Sequence, residues 1–150
     1  MGTAIILIKL IAAHLVGDFI LQTDKLCADK FSNNKAFRYR ALSVHALVHA
    51  ALAYLFVAQW NNWAVPLVIG ASHFLIDLVK THFKRKDLVG FVCDQLAHYC
   101  VIVVLWLIVF ANHDYNQAAK ILSANFWLIA TTYIAVLSPT SVLIKSFMHL

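Results

Sequence analysis

The stretch Val68-Ile-Gly-Ala-Ser-His73-Phe-Leu-Ile-Asp77-Leu-Val79 places a histidine and an aspartate four residues apart inside an apolar run. The spacing recurs in three other apolar runs: His14 and Asp18, His45 and His49, Asp94 and His98. On a helix, positions four apart lie about 40° apart around the axis and one turn up, so each pair faces one way. In hydrocarbon that direction is inward, because a lipid-facing charge costs several kcal/mol.

The surroundings of the pairs set the fold class. Of 150 residues, 62% are hydrophobic and 13% charged, and the mean hydropathy is +0.76. A soluble domain is nearer half apolar and a quarter charged. The composition predicts an all-α, polytopic membrane helix bundle forming a single domain over 1–150, with about five transmembrane helices. The spans fall near 3–23, 41–59, 63–81, 88–111 and 121–137 or longer. The first span lacks a basic leader and an A-x-A site, so it reads as a retained helix. Lys9 within it is expected to snorkel or face a neighbouring helix.

Residues 24–40 read as a polar, basic loop with a turn at Asn33-Asn34, and Trp60-Asn-Asn-Trp63 and Asn112 to Asn116 as further turns. Ser138-Pro139-Thr140 is expected to break or kink the last helix. Nine of the twelve basic residues fall in two loops: Lys25, Lys30, Lys35, Arg38 and Arg40, then Lys80, Lys84, Arg85 and Lys86. Such clusters can bind nucleic acid, but in a polytopic chain they set topology, so no nucleic-acid partner is expected. Both loops are then cytoplasmic, the N-terminus is outside, and Lys145 is inside. Trp60, Trp63, Trp106 and Trp127 all map to the outer ends of spans, as an interfacial belt does. Cys27, Cys93 and Cys100 match neither a disulfide framework nor a CxxC site.

Depth links the four pairs. From cytoplasmic ends at residues 24, 40, 82 and 88, Asp18, His45, Asp77 and Asp94 lie five or six residues in. His14, His49, His73 and His98 lie nine or ten in. Alternate spans run in opposite directions, and the motif reverses with them, from H-x3-D to D-x3-H. This predicts a deep ring of four histidines and, about 6 Å nearer the cytoplasm, a layer of three aspartates and a histidine. Imidazole with carboxylate suits a divalent metal, zinc first, with iron or manganese as alternatives. Eight candidate ligands exceed one tetrahedral ion and suit a metal pair bridged by aspartates. A single pair of this kind is as well explained by helix–helix hydrogen bonding, but four at matched depth are not. Gln22, Ser43, Ser72, Lys80 and Gln95 lie near the cytoplasmic layer and are candidates to orient ligands or bind an anion. His82, His113 and His149 fall off both layers.

The runs AHLVGDFILQTD, HALVHA, SHFLIDLVK and CDQLAHY resemble a bacterial and phage family of small integral membrane proteins of unknown function, over residues 10 to about 110. More remotely, the chain is similar to LexA-regulated inner-membrane metal-dependent hydrolases, and through them to the zinc phospholipase C and S1/P1 nuclease group. That resemblance implies an all-helical phosphoesterase with His14, Asp18, His73 and Asp77 as the repeated H-x3-D element, and His45, His49, Asp94 and His98 as the other ligands. The chain departs from it in lacking a ligating N-terminal tryptophan and any glutamate.

Three functions compete. The first is a metal-dependent hydrolase of the bacterial inner membrane, a phosphoesterase for a lipid or small anion entering from the cytoplasmic leaflet. It uses Asp18 or Asp94 as ligand or general base, with Lys80 and Lys84 at the mouth. The second is a divalent-metal or proton transporter. The third is a structural or regulatory membrane protein. A transport path predicts polar positions reaching the outer face, where the sequence is apolar apart from Lys9.

Overall fold

The computed structural model describes residues 2–83, 88–111 and 122–148. The described residues are almost entirely helical. α1 is Gly2–Leu15 and continues as a π-helical turn, Val16–Ile20. α2 is Asp24–Lys30, α3 Lys35–Val57, α4 Ala64–His82, α5 Leu88–Val109 and α6 Ala124–Met148.

The bundle is apolar outside and polar within. Leu67 is 67% exposed and Ile108 71%, whereas Asp77 is 4% exposed. Four helical stretches are long and apolar enough to cross a membrane: Thr3–Ile20, Lys35–Val57, Ala64–His82 and Leu88–Val109. The fifth apolar segment, Ala124–Leu137, is shorter. Between like-apolar helices in lipid, attraction comes from close packing of small residues. α3 and α4 make the most extensive contact, and at Gly70 a β-carbon would stand 3.1 Å from that of Ala50. α1 is central, touching α3, α5 and α6.

One half of the bundle is a hydrocarbon core that includes Ile5, Ile6, Leu10, Val57, Val65, Ile102 and Leu105. The tryptophans collect at that end. Trp106 donates to the Thr3 carbonyl at 2.7 Å, and the Trp60 carbonyl accepts from Tyr54 at 2.7 Å. Lys9 is buried in this half with its ammonium 5.4 Å from the Trp127 ring, so it faces a neighbour and does not snorkel. The other half holds the His/Asp pairs.

Two expectations need correction, and of the break or kink expected at Pro139 the break is excluded. Residues 24–40 are not a loop. Thr23 caps α2 by accepting from the Leu26 amide, and Asn34 caps α3 by accepting from that of Ala36. Side-chain caps of this kind start helices even in polar, basic sequence. The first membrane helix ends at Ile20, short of residue 23. Pro139 does not end the last helix, which runs unbroken to Met148. A proline removes one helix donor, a loss that a continuing helix can absorb. The turn at 112–116, His113, His149 and the loop residues Lys84, Arg85 and Lys86 lie outside the described residues.

Candidate metal centre

α1 with its π-helical turn, α4 and α5 each turn one His/Asp pair inward, α3 turns in His45 and His49, and the pairs meet. His14, His45, His49, His73, Asp77, Asp94 and His98 are buried, and the Asp18 side chain is 11% exposed. The four histidines assigned to the deep ring come together, with the His45 ring packed 4.5 Å from that of His49 and 4.8 Å from that of His73. Ring centroids lie 5.4 Å apart for His14 and His49, 3.6 Å for His49 and His73, 4.1 Å for His73 and His98, and 5.0 Å for His14 and His98.

Asp18 is the hub. It sits in the π-helical turn of α1, where Leu21 N–H bonds back to the Val16 carbonyl. Such turns re-aim side chains and are common at functional sites. Three imidazole nitrogens converge on Asp18 Oδ1: Nε2 of His45 at 3.0 Å, of His49 at 3.1 Å and of His73 at 3.6 Å. Gln95 Nε2 donates to Asp18 Oδ2 at 2.9 Å. Since the Gln95 amide nitrogen is the donor there, its oxygen accepts, and His14 Nε2–H donates to it at 3.2 Å. His14 thus holds Gln95, and Gln95 holds Asp18. Gly17 makes room, because any β-carbon there would run into the His49 ring.

Two sets of donor atoms lie close enough to share an ion. Asp18, His45, His49 and His73 form one, and His73, Asp77 and His98 the other, with donors within 4.8 Å of one another. In a tetrahedral zinc site, ligand atoms about 2.0 Å from the ion sit about 3.3 Å apart. His73 Nε2 and His98 Nε2 are buried without a hydrogen-bond partner. His98 Nδ1 donates to the Asp94 carbonyl at 2.8 Å, so its Nε2 turns a lone pair inward. A backbone carbonyl fixing the far ring nitrogen is the usual support of a metal-binding histidine. The buried His/Asp group can hold a metal ion.

His14 and Asp94 fall in neither set. Asp94 Oδ2 accepts from Lys80 at 2.6 Å. Asp77 Oδ2 accepts from Lys30 at 2.6 Å, and Lys30 also donates to Gln22 at 2.5 Å. Lys30 is 5% exposed, so a lysine from the basic segment folds back into the site on α2. Its signal in the sequence is the Thr23-Asp24 helix start, which makes residues 24–30 a short helix able to aim a side chain inward. Of the other polar neighbours, Ser72 bonds the Ile69 carbonyl of its own helix, and Ser43 lines a groove between α3 and α4. His82 and the three cysteines are exposed, and none belongs to either donor set.

No curated protein and no solved structure matches the chain. A family model described as a protein of unknown function (DUF3307) matches residues 6–136, which takes in all four His/Asp pairs and the first half of α6. The chain belongs to that family of proteins of unknown function.

Proposed function

We propose that the chain is a membrane-embedded, metal-dependent hydrolase of the phosphoesterase type, acting on a lipid or small anion that reaches the site from the cytoplasmic leaflet. The observation that carries this reading is the convergence of three imidazole nitrogens on Asp18 Oδ1. Asp18, His45, His49 and His73 would hold one divalent ion. Zinc suits a set of four nitrogen and oxygen donors, and iron or manganese suits it with added ligands. The ion supplies Lewis acidity and a nucleophile ionised near neutral pH.

Charge favours one ion over two. Asp18, Asp77 and Asp94 face Lys30 and Lys80, so with neutral imidazoles the group carries one net negative charge. A divalent ion reverses that to one net positive charge, which an anionic phosphate would neutralise. A second ion would add two more positive charges, next to ammonium groups already seated on Asp77 and Asp94.

The chain's own residues divide the remaining work. Gln95 and His14 fix Asp18. Lys30 neutralises Asp77. His98 Nε2, its lone pair free, would accept a proton from the attacking nucleophile. Asp94 and Lys80, which line a cleft between α4 and α5, would face the substrate.

The other readings have less support. Beyond the histidine ring, Leu10, Ala13, Ala53, Ile69, Val101 and Ile102 help enclose a cavity of about 10 Å³, close to one water. An end that is apolar apart from Ser72 and Lys9 suits a one-sided pocket better than a transit path. A purely structural network would pair its polar atoms, and His73 Nε2 and His98 Nε2 are unpaired.

The test is phosphorus NMR of lipid and small phosphoester substrates with metal-loaded protein in nanodiscs. A new phosphorus product that is absent with Asp18→Asn supports the assignment. Stoichiometric metal with no turnover of any phosphoester would overturn it.

A further inference from the structure

Between α4 and α5 a cleft of about 200 Å³ opens on the apolar outer surface of the bundle. Ile76, Val79, Phe83 and Ala97 give it apolar walls, and Lys80 and Asp94 are its charged groups. Val79 and Phe83 are exposed at its rim, where acyl chains would lie.

The charged pair is unevenly satisfied. Lys80 commits one of its three N–H donors to Asp94 Oδ2. Asp94 Oδ1 is buried and has no hydrogen-bond partner. Its neighbour His98 Nδ1, 3.9 Å away, already donates to the Asp94 carbonyl. A buried carboxylate oxygen without a donor is unfavourable, so the cleft calls for a ligand that brings one.

We propose that this cleft binds a zwitterionic phospholipid whose head group ends in a primary ammonium. Its phosphate oxygens take the remaining N–H donors of Lys80, the Asp94 carboxylate turns to bring the buried Oδ1 out to its ammonium, and a chain lies along the apolar walls. The Lys80–Asp94 pair sums to zero charge, so a head group bearing both charges matches it. A purely anionic head group would set phosphate beside Asp94 with only Lys80, already paired to that carboxylate, to offset the repulsion. A quaternary ammonium has no N–H to give Oδ1. The cleft borders the histidine cluster, since the Asp94 carbonyl holds His98 and His98 belongs to the set with His73 and Asp77.

The inference rests on the phosphoesterase reading and names its substrate class, but lipid retention needs no turnover, so the two can fail separately. The full chain is purified from mixed micelles of ethanolamine, choline and glycerol phospholipids with matched acyl chains, and retained lipid is counted by native mass spectrometry. Wild type is expected to keep the ethanolamine lipid about tenfold over the choline lipid, the worth of one hydrogen bond to a charged group. Asp94→Asn should bring that ratio near one, and Lys80→Gln should lower retention of all three. Ala97→Phe fills the cleft without touching the charged pair and should abolish retention in a chain that still folds. Equal retention of the three lipids by wild type, a preference for the anionic lipid, or an unchanged ratio in Asp94→Asn overturns the inference. Head-group preference without turnover sinks the phosphoesterase reading alone. Turnover without preference sinks this inference alone.

Discussion

Gly17→Ala is the smallest change that separates the centre from the fold. A β-carbon at position 17 falls 2.5 Å from His49 Nε2 and 2.9 Å from Nδ1. Carbon contacts settle near 3.5 Å, so the ring must retreat by about 1 Å. The His49 Nε2 to Asp18 Oδ1 distance, 3.1 Å, would then pass about 4 Å, beyond a hydrogen bond. Overpacking costs about 1–3 kcal/mol and the lost hydrogen bond to a charged group about 1.5–3. Alanine returns up to about 1 kcal/mol in helix preference, leaving roughly 1.5–5 kcal/mol of destabilisation. Metal ligation tolerates about 0.2 Å, so one donor in four is displaced well outside range. Affinity is expected to fall at least about 10–100-fold, the loss seen when only a supporting partner is removed. Competition against a chelator of known affinity reads it, with helix content by circular dichroism as the folding check. Gly70→Ala is the control, because its β-carbon would meet Ala50 at 3.1 Å, away from the site. It should lower the melting temperature and leave metal affinity alone. Wild-type affinity in Gly17→Ala, or an equal loss in Gly70→Ala, would refute the reasoning.

Other residues predict graded effects. His14→Ala should weaken metal binding about 10–100-fold through Gln95 and Asp18, short of the loss in His49→Ala; titration of both variants ranks them. Lys30→Met leaves Asp77 buried without its cation, which should destabilise the metal-free protein by about 3–5 kcal/mol and enlarge the stabilisation gained on adding metal. Thermal melts with and without metal check both parts. Chelator treatment of the wild type should lower its melting temperature. The stabilisation recovered by metal at a thousand times its dissociation constant is about 4 kcal/mol.

The existence of the site was legible because its signal is periodic. Each pair lies one turn apart on one helix, and the reversal of motif order with span direction fixes common depth without any knowledge of packing. The ring of His14, His49, His73 and His98 follows from that alone. What could not be read was how the eight residues divide. His14 and Asp94 differ from the other six only in which neighbours their atoms meet, Gln95 and Lys80, and these contacts depend on helix rotation. Lys30 was hidden for another reason. A lysine among polar residues reads as a solvated loop charge, and only the Thr23 cap turns that stretch into a helix aimed at Asp77. Gly17 looked unremarkable beside Asp18, because the need for an absent side chain arises from His49 on another helix.

The metal content of chelator-free purified protein tests the centre most directly. About one equivalent of divalent metal is expected in the wild type, lost in His73→Ala and Asp18→Asn and kept in Asp77→Asn, whose side chain serves Lys30. Absence of stoichiometric metal in the wild type, or an equivalent that survives in Asp18→Asn, would contradict the account.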